Sequence, residues 1–245
     1  MKHIRNSILI LTTLGVLTEA CTKDRNVFPS DAYTDGNLIR DEQTAKTVLN
    51  GVYYRFAYAG TNSSGVRETQ WTAVNEYFPS ELAGSLVPIF TTDDSIFNFT
   101  FTPSFPLIDT IWDYCYNMIN AASGFIKNAA PVNNIPAASK RQMLSEARFL
   151  RAFARTELLF YFAQYRDPSS KYGIILRDTF VTVGTLNEPR SSVAEAYASI
   201  LADLDAAIDG LPVKNTDIYY ANAASAKLLK ARVLINRGIP GDYSR

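Results

Sequence analysis

The sequence predicts an all-α protein built of tetratricopeptide-like helical hairpins, with a long irregular insertion between the first two helices. Three observations carry this. Five segments repeat apolar residues at steps of three and four, the period of a helix with one buried stripe. Several of these segments follow one another across short connections, which makes antiparallel neighbours of them. Small residues recur along the later ones (Ala194, Ala198, Ala202, Ala206, Ala224, Ala226, Ala231) and allow the close approach of stacked helix pairs.

The chain opens on a leader. Met1–Arg5 is basic through Lys2 and Arg5, Ile8–Leu17 is apolar and uncharged, and Ala20-Cys21 precedes a polar stretch. That order describes a secretory signal, and the run is shorter than the roughly twenty apolar residues a bilayer span needs. Cys21 at the break makes residues 1–20 a lipoprotein signal, with the Cys21 thiol acylated. The motif departs from the usual lipobox: Thr18 stands three positions before Cys21, with Leu17 one further back, and Glu19 is an unusual neighbour. An ordinary signal with an incidental cysteine is the other reading. Residues 21–40 read as a tether, and residues 41–245 as the helical domain.

Asp41 caps the first helix, which carries Ala45, Val48, Leu49, Val52, Tyr53 and Phe56 at helical spacing. Gly51 lies inside it. A helical glycine costs about 1 kcal/mol against alanine, so a close neighbour is expected there. Residues 59–106 follow, rich in Gly, Ser, Thr, Asn and Pro with interspersed aromatics. Ile96–Thr102 alternates like a short strand. A loop of this length is usually functional. Leu107–Ala130 returns to helix. Ser139–Tyr165 is a long helix with apolar residues on nearly all sides, and so should be central. Arg166–Pro189 is irregular. Ser192 and Glu195 form a capping box, and Val193, Tyr197, Ile200, Leu204, Ile208 and Leu211 continue as a stripe that Gly210 and Pro212 stop. Asn222 caps the last helix, which ends near Gly238.

Composition excludes several functions. The 245 residues carry 24 basic and 24 acidic groups; without Met1–Ala20 they become 22 and 23, because Lys2, Arg5 and Glu19 leave. This balance gives no footprint for nucleic acid. The single histidine, His3, lies in the leader. The remaining chain therefore lacks the histidine that Ser-His and Cys-His nucleophiles and His-based zinc sites require. No metal site and no cofactor are expected. Cys115, the second of two cysteines, sits in an apolar helical context and reads as a buried, inert thiol.

A set of segments, in order, resembles the SusD/RagB family of outer-membrane nutrient-binding lipoproteins. They are Ala45–Tyr53, Ile111–Asn120, Ser145–Phe153, Pro189–Ile208 and Ala226–Leu234, with Ser145-Glu146-Ala147-Arg148-Phe149-Leu150-Arg151-Ala152-Phe153 the most specific. Lys23-Asp24 resembles the tag that marks surface export in such lipoproteins. The resemblance implies a lipid-anchored protein on the outer membrane that binds glycans or similar oligomeric nutrients. It would pass them to a SusC-like TonB-dependent transporter and perform no chemistry of its own. Family members are about twice this length, so the chain reads as the N-terminal portion of a longer protein, with part of any ligand site missing.

Sugar binding needs flat aromatic faces and planar polar groups on a braced loop. The insertion offers Arg67, Trp71, Asn75 and Tyr77, with Glu76 beside them. Trp71 would stack on a sugar ring, and Arg67, Asn75 and Glu76 would bond hydroxyls. The resemblance places some ligand contacts in this loop; the other reading is that Trp71 and Tyr77 only pack the loop down. Arg148, Arg151 and Arg155 share one helix side and read as structural arginines rather than an acidic-ligand patch. Asp93, Asp94, Glu76 and Glu81 would need a separation of about 5–10 Å to act as a glycosidase pair, and turn and cap roles are the default. Lys227, Lys230 and Arg232 read as solvated charges. A helical-repeat scaffold that binds only protein is the second functional reading, and a glycoside hydrolase a distant third.

Overall fold

The computed structural model describes residues 36–57, 77–87, 95–102, 105–215 and 217–244. The leader, Cys21 and most of the tether lie outside them. The compact unit Ile39–Arg245 contains the regular elements. Among the described residues these are all helical: α1 Glu42–Ala57, α2 Phe78–Leu82, α3 Pro106–Ala129, α4 Ala137–Phe162, α5 Val193–Gly210 and α6 Ala223–Arg237. Short 3-10 turns occupy Val183–Thr185 and Asp242–Ser244.

The end signals in the sequence act as local chemistry requires. Asp41 Oδ1 accepts the Thr44 amide at 2.8 Å, and Thr44 Oγ1 accepts the Asp41 amide at 3.1 Å. Ser192 Oγ accepts from the Glu195 amide at 3.2 Å while Glu195 Oε2 takes the Ser192 amide at 2.8 Å. Asn222 Oδ1 accepts from the Ser225 amide at 2.9 Å. Each satisfies an amide that a first helical turn leaves without a partner. Gly238 closes α6 in the left-handed region at φ 61°, donating to the Leu234 carbonyl at 2.9 Å.

Helix α4 is central. It packs against α1, α3, α5 and α6, as its all-round apolarity predicts. One core cluster joins Cys115, Met118 and Ile119 of α3 to Leu158 of α4 and to Tyr197 and Ile200 of α5. A second joins Leu49 and Val52 of α1 to Phe125 of α3 and Leu150 of α4. The α4–α5 crossing is tight: a Cβ on Gly210 would lie 2.1 Å from Ser145 Oγ, and that hydroxyl donates to the Ala206 carbonyl at 3.2 Å. No helix among the described residues is long and apolar enough to cross a membrane.

Two local expectations fail. Residues 95–99 form a turn, with the Phe99 amide donating to the Ile96 carbonyl at 3.2 Å and Phe99 at φ 55°. An isolated strand leaves its backbone groups unbonded, and the turn pairs them locally. Ile96 alone is pulled inward, while Phe99 and Phe101 stay exposed. The insertion also holds the short helix α2, too brief to register as a period. At Gly51 a Cβ would meet nothing within 4 Å, so no neighbour demands the glycine. Gly51→Ala is therefore expected to stabilise the fold by about 1 kcal/mol, read as a raised urea midpoint at constant slope.

Candidate ligand-binding site

Of the four predicted ligand residues, Arg67, Trp71 and Asn75 lie outside the described residues. Tyr77 is exposed at the start of α2, its ring edge-on to Phe78 with centroids 5.5 Å apart. Phe78 lines a cavity of about 200 Å³ walled by four further aromatic residues: Phe101, Phe105, Tyr161 and Phe162. The insertion supplies Phe101 and Phe105, and the last turn of α4 supplies Tyr161 and Phe162. Trp112 braces Phe162 from α3, edge-on at 5.1 Å. The cavity is an aromatic pocket between described residues of the insertion and the ends of α3 and α4. Its walls suit the apolar C–H face of a ring, and polar partners for hydroxyls would come from elsewhere. Sequence reasoning noted the insertion's aromatics only as interspersed residues. It missed Tyr161 and Phe162, because nothing in a long apolar helix separates residues that face a cavity from those that fill a core.

All three arginines of this helix are expected to be structural, and the bonds of two of them, Arg151 and Arg155, are so. Arg151 grips Asp203 with two bonds, Nε to Oδ2 at 2.8 Å and Nη2 to Oδ1 at 2.7 Å. Arg155 reaches the same carboxylate through Nη1 at 2.9 Å and also binds Ser199 Oγ at 2.8 Å, the Arg177 carbonyl at 2.8 Å and Asp178 Oδ1 at 2.6 Å. Burial disfavours the Arg155 charge most, and neighbouring Arg151 adds to this, so its pKa falls below the usual guanidinium value. Burial raises the Asp178 carboxyl, but the bond and charge of Arg155 outweigh that and hold it below the usual range. Arg148 is half-buried one turn nearer the start of α4, while the other two arginines are committed to Asp203.

Arg232 keeps part of the solvated character predicted for it, its side chain being 41% exposed, but it also has a buried partner. Its Nη1 lies 3.1 Å from Oε1 of Glu157, whose side chain is fully buried. Lys230 pairs with Asp205 at 2.5 Å on the surface. Burial carries the Glu157 pKa up to about 7 in spite of Arg232. Cys115 is free and buried, and desolvation pushes its thiol well above the ordinary value. Glu81 is fully buried on α2, which does not suit an exposed acid pair. Glu76, Asp93 and Asp94 lie outside the described residues. Among the described residues no group of three or more His, Cys, Asp or Glu is placed to hold a metal.

Comparison with known proteins places this geometry. Residues 100–233, more than half of the chain, match the SusD-like family model described as "starch-binding associating with outer membrane". No curated protein matches the sequence. Among solved structures, a SusD superfamily protein from Bacteroides thetaiotaomicron is similar with a TM-score of 0.64 at 21% identity, over 81% of this chain and 43% of that one. A laminarin-binding SusD-like protein gives 0.60 at 18% identity, over 80% and 40%. Surface glycan-binding protein A from Bacteroides fluxus gives 0.59 at 20%, also over 80% and 40%. The chain spans less than half the length of these solved relatives, and the likeness is one of fold. The family match, the all-helical architecture and the central α4 agree: this chain belongs to the SusD-like family.

Proposed function

We propose that this chain is the N-terminal portion of a surface lipoprotein that binds glycans and does not cut them. Family membership is the observation that carries this reading, and the aromatic cavity beside Tyr77 supports it. Residues 1–20 are removed as a signal, Cys21 is acylated, and residues 21–40 tether the helical domain to the outer membrane. A glycan or similar oligomeric nutrient stacks on Trp71 and Tyr77 and bonds Arg67 and Asn75. It then passes to a SusC-like TonB-dependent transporter.

Native gels containing laminarin or starch, with product analysis of the same samples, test the reading. The expected result is retardation without released oligosaccharide. Trp71→Ala should weaken it by roughly tenfold, as loss of a central aromatic anchor does. Retardation absent for the full-length protein, or oligosaccharide released, overturns it. The protein-binding scaffold is favoured by one observation only: α6 exposes Leu228 and Ile235, beside a groove against Phe149 and Phe153 of α4. If the gels show no retardation, that reading takes over.

A further inference from the structure

A polar cleft lies away from the aromatic cavity. It is bounded by α1, α4 and the α5–α6 connection, and holds about 320 Å³, a volume at the small end of ligand sites. Leu49 and Met143 form its buried apolar base. Its polar lining includes Asn50, Gln142, Glu146, Asn215 and Tyr220.

Glu146 is the unusual member. It is almost wholly buried, and among the described residues it makes no ion pair. Its carboxylate accepts from the neutral Gln142 Nε2 at 2.9 Å; burial raises its pKa, and Gln142, Tyr53 and Asn215 offset that only in part. Lys46, the cation of the cleft, pairs with Glu42 at 2.7 Å. The remaining groups are held in place by the fold. Tyr220 donates to Asn50 Oδ1 at 2.9 Å, and its ring stands edge-on to Tyr53 at 4.9 Å. The Tyr53 oxygen accepts the Ala221 amide at 2.9 Å, and Asn215 Nδ2 donates to the Ala221 carbonyl at 3.1 Å. The cleft is therefore preorganised, so little ordering is needed on binding.

Three planar amides, two carboxylates and a tyrosine ring around a small cavity match the paired hydroxyls and apolar face of one or two sugar rings. Two carboxylates against one lysine leave an excess of negative charge, which disfavours an acidic ligand. We propose that this cleft is a second sugar site, taking the neutral end or side unit of a glycan and rejecting uronates. It rests on the glycan-binding reading, but it uses none of the residues assigned there.

Saturation-transfer NMR on the full-length protein tests it, with glucose, galactose, mannose and N-acetylglucosamine as probes and glucuronate as the control. At least one neutral sugar should show transfer and glucuronate none. Measured in a Trp71→Ala background, which removes stacking at the first site, the Gln142→Ala/Asn50→Ala double variant should weaken the neutral sugar on the order of tenfold while melting like its background. Polysaccharide retardation without any monosaccharide transfer overturns the second site alone, as does transfer that survives the double variant. Absence of both overturns this inference and the glycan-binding reading together.

Discussion

Asp203→Ala should cost about 3–5 kcal/mol of folding stability, the usual consequence of stripping one partner from a buried ion cluster. Asp203 is 6% exposed and Arg155 1% exposed, so water cannot replace the lost carboxylate. The substitution would leave two buried guanidinium groups facing each other with Asp178 as the remaining carboxylate paired to them among the described residues, and that residue's side chain is 67% exposed. A domain of this kind has about 5–15 kcal/mol in total, so the variant should be largely destabilised at ordinary temperature. Urea unfolding read by circular dichroism measures it. Arg155→Met sharpens the test. It removes one cation, leaves Asp203 still paired to Arg151, and frees an Asp178 that solvent can hydrate. Its loss should be clearly smaller than that of Asp203→Ala. If Asp203→Ala unfolds within about 1 kcal/mol of the parent, the cluster does not hold the α4–α5 crossing together.

Glu157 should make the protein more stable in mild acid than in mild alkali. Its folded pKa is about 7 against an ordinary value of 4.5, with burial the largest cause. Between those values the folded chain holds a proton that the unfolded chain has released, so stability falls as pH rises through the window. By pH 8 the shift corresponds to roughly 3 kcal/mol. Arg232 offsets the burial only in part because its side chain is 41% exposed, and among the described residues Glu157 Oε2 finds no hydrogen-bond donor. Glu146 is raised too, again chiefly by burial, so the parent should slope more steeply than Glu157 alone dictates. The lowered Asp178 acts in the opposite sense, at pH below about 4. Urea midpoints at pH 5 and pH 8, for the parent and for Glu157→Gln, isolate the effect. Glu157→Gln should flatten most of the difference, and an unchanged slope would assign the dependence elsewhere.

Much of the helical frame was legible because its signals are local. Asp41, Ser192 with Glu195, and Asn222 bond amides three residues away, so spacing alone reveals them. The stripe from Val193 to Leu211 announced α5, and the all-round apolarity of residues 139–165 announced the central helix. Gly51 and Ile96–Thr102 misled for a common reason. A glycine and an alternation each have several causes, and only the neighbours in space choose among them. Gly210 shows the converse. Read as a helix stop, it is also a point where an added Cβ would strike Ser145.

The site was less legible. Arg151 and Arg155 stood out in the sequence, but Asp203 lies 52 and 48 residues further on and nothing local links them. Arg232 looked like a surface charge until α6 packed beside α4 and brought it to Glu157. Tyr161 and Phe162 became cavity walls only when the insertion supplied Phe101 and Phe105 opposite them. The sequence by itself determined the five long helices, the side-chain caps of three of them, the order of the family's segments and the absence of a histidine beyond His3. Tertiary structure alone decided which charges are buried, which aromatics enclose space and which glycines are required. Helix formation depends on neighbours within a turn or two, whereas burial and electrostatics depend on distances that only the packed chain sets.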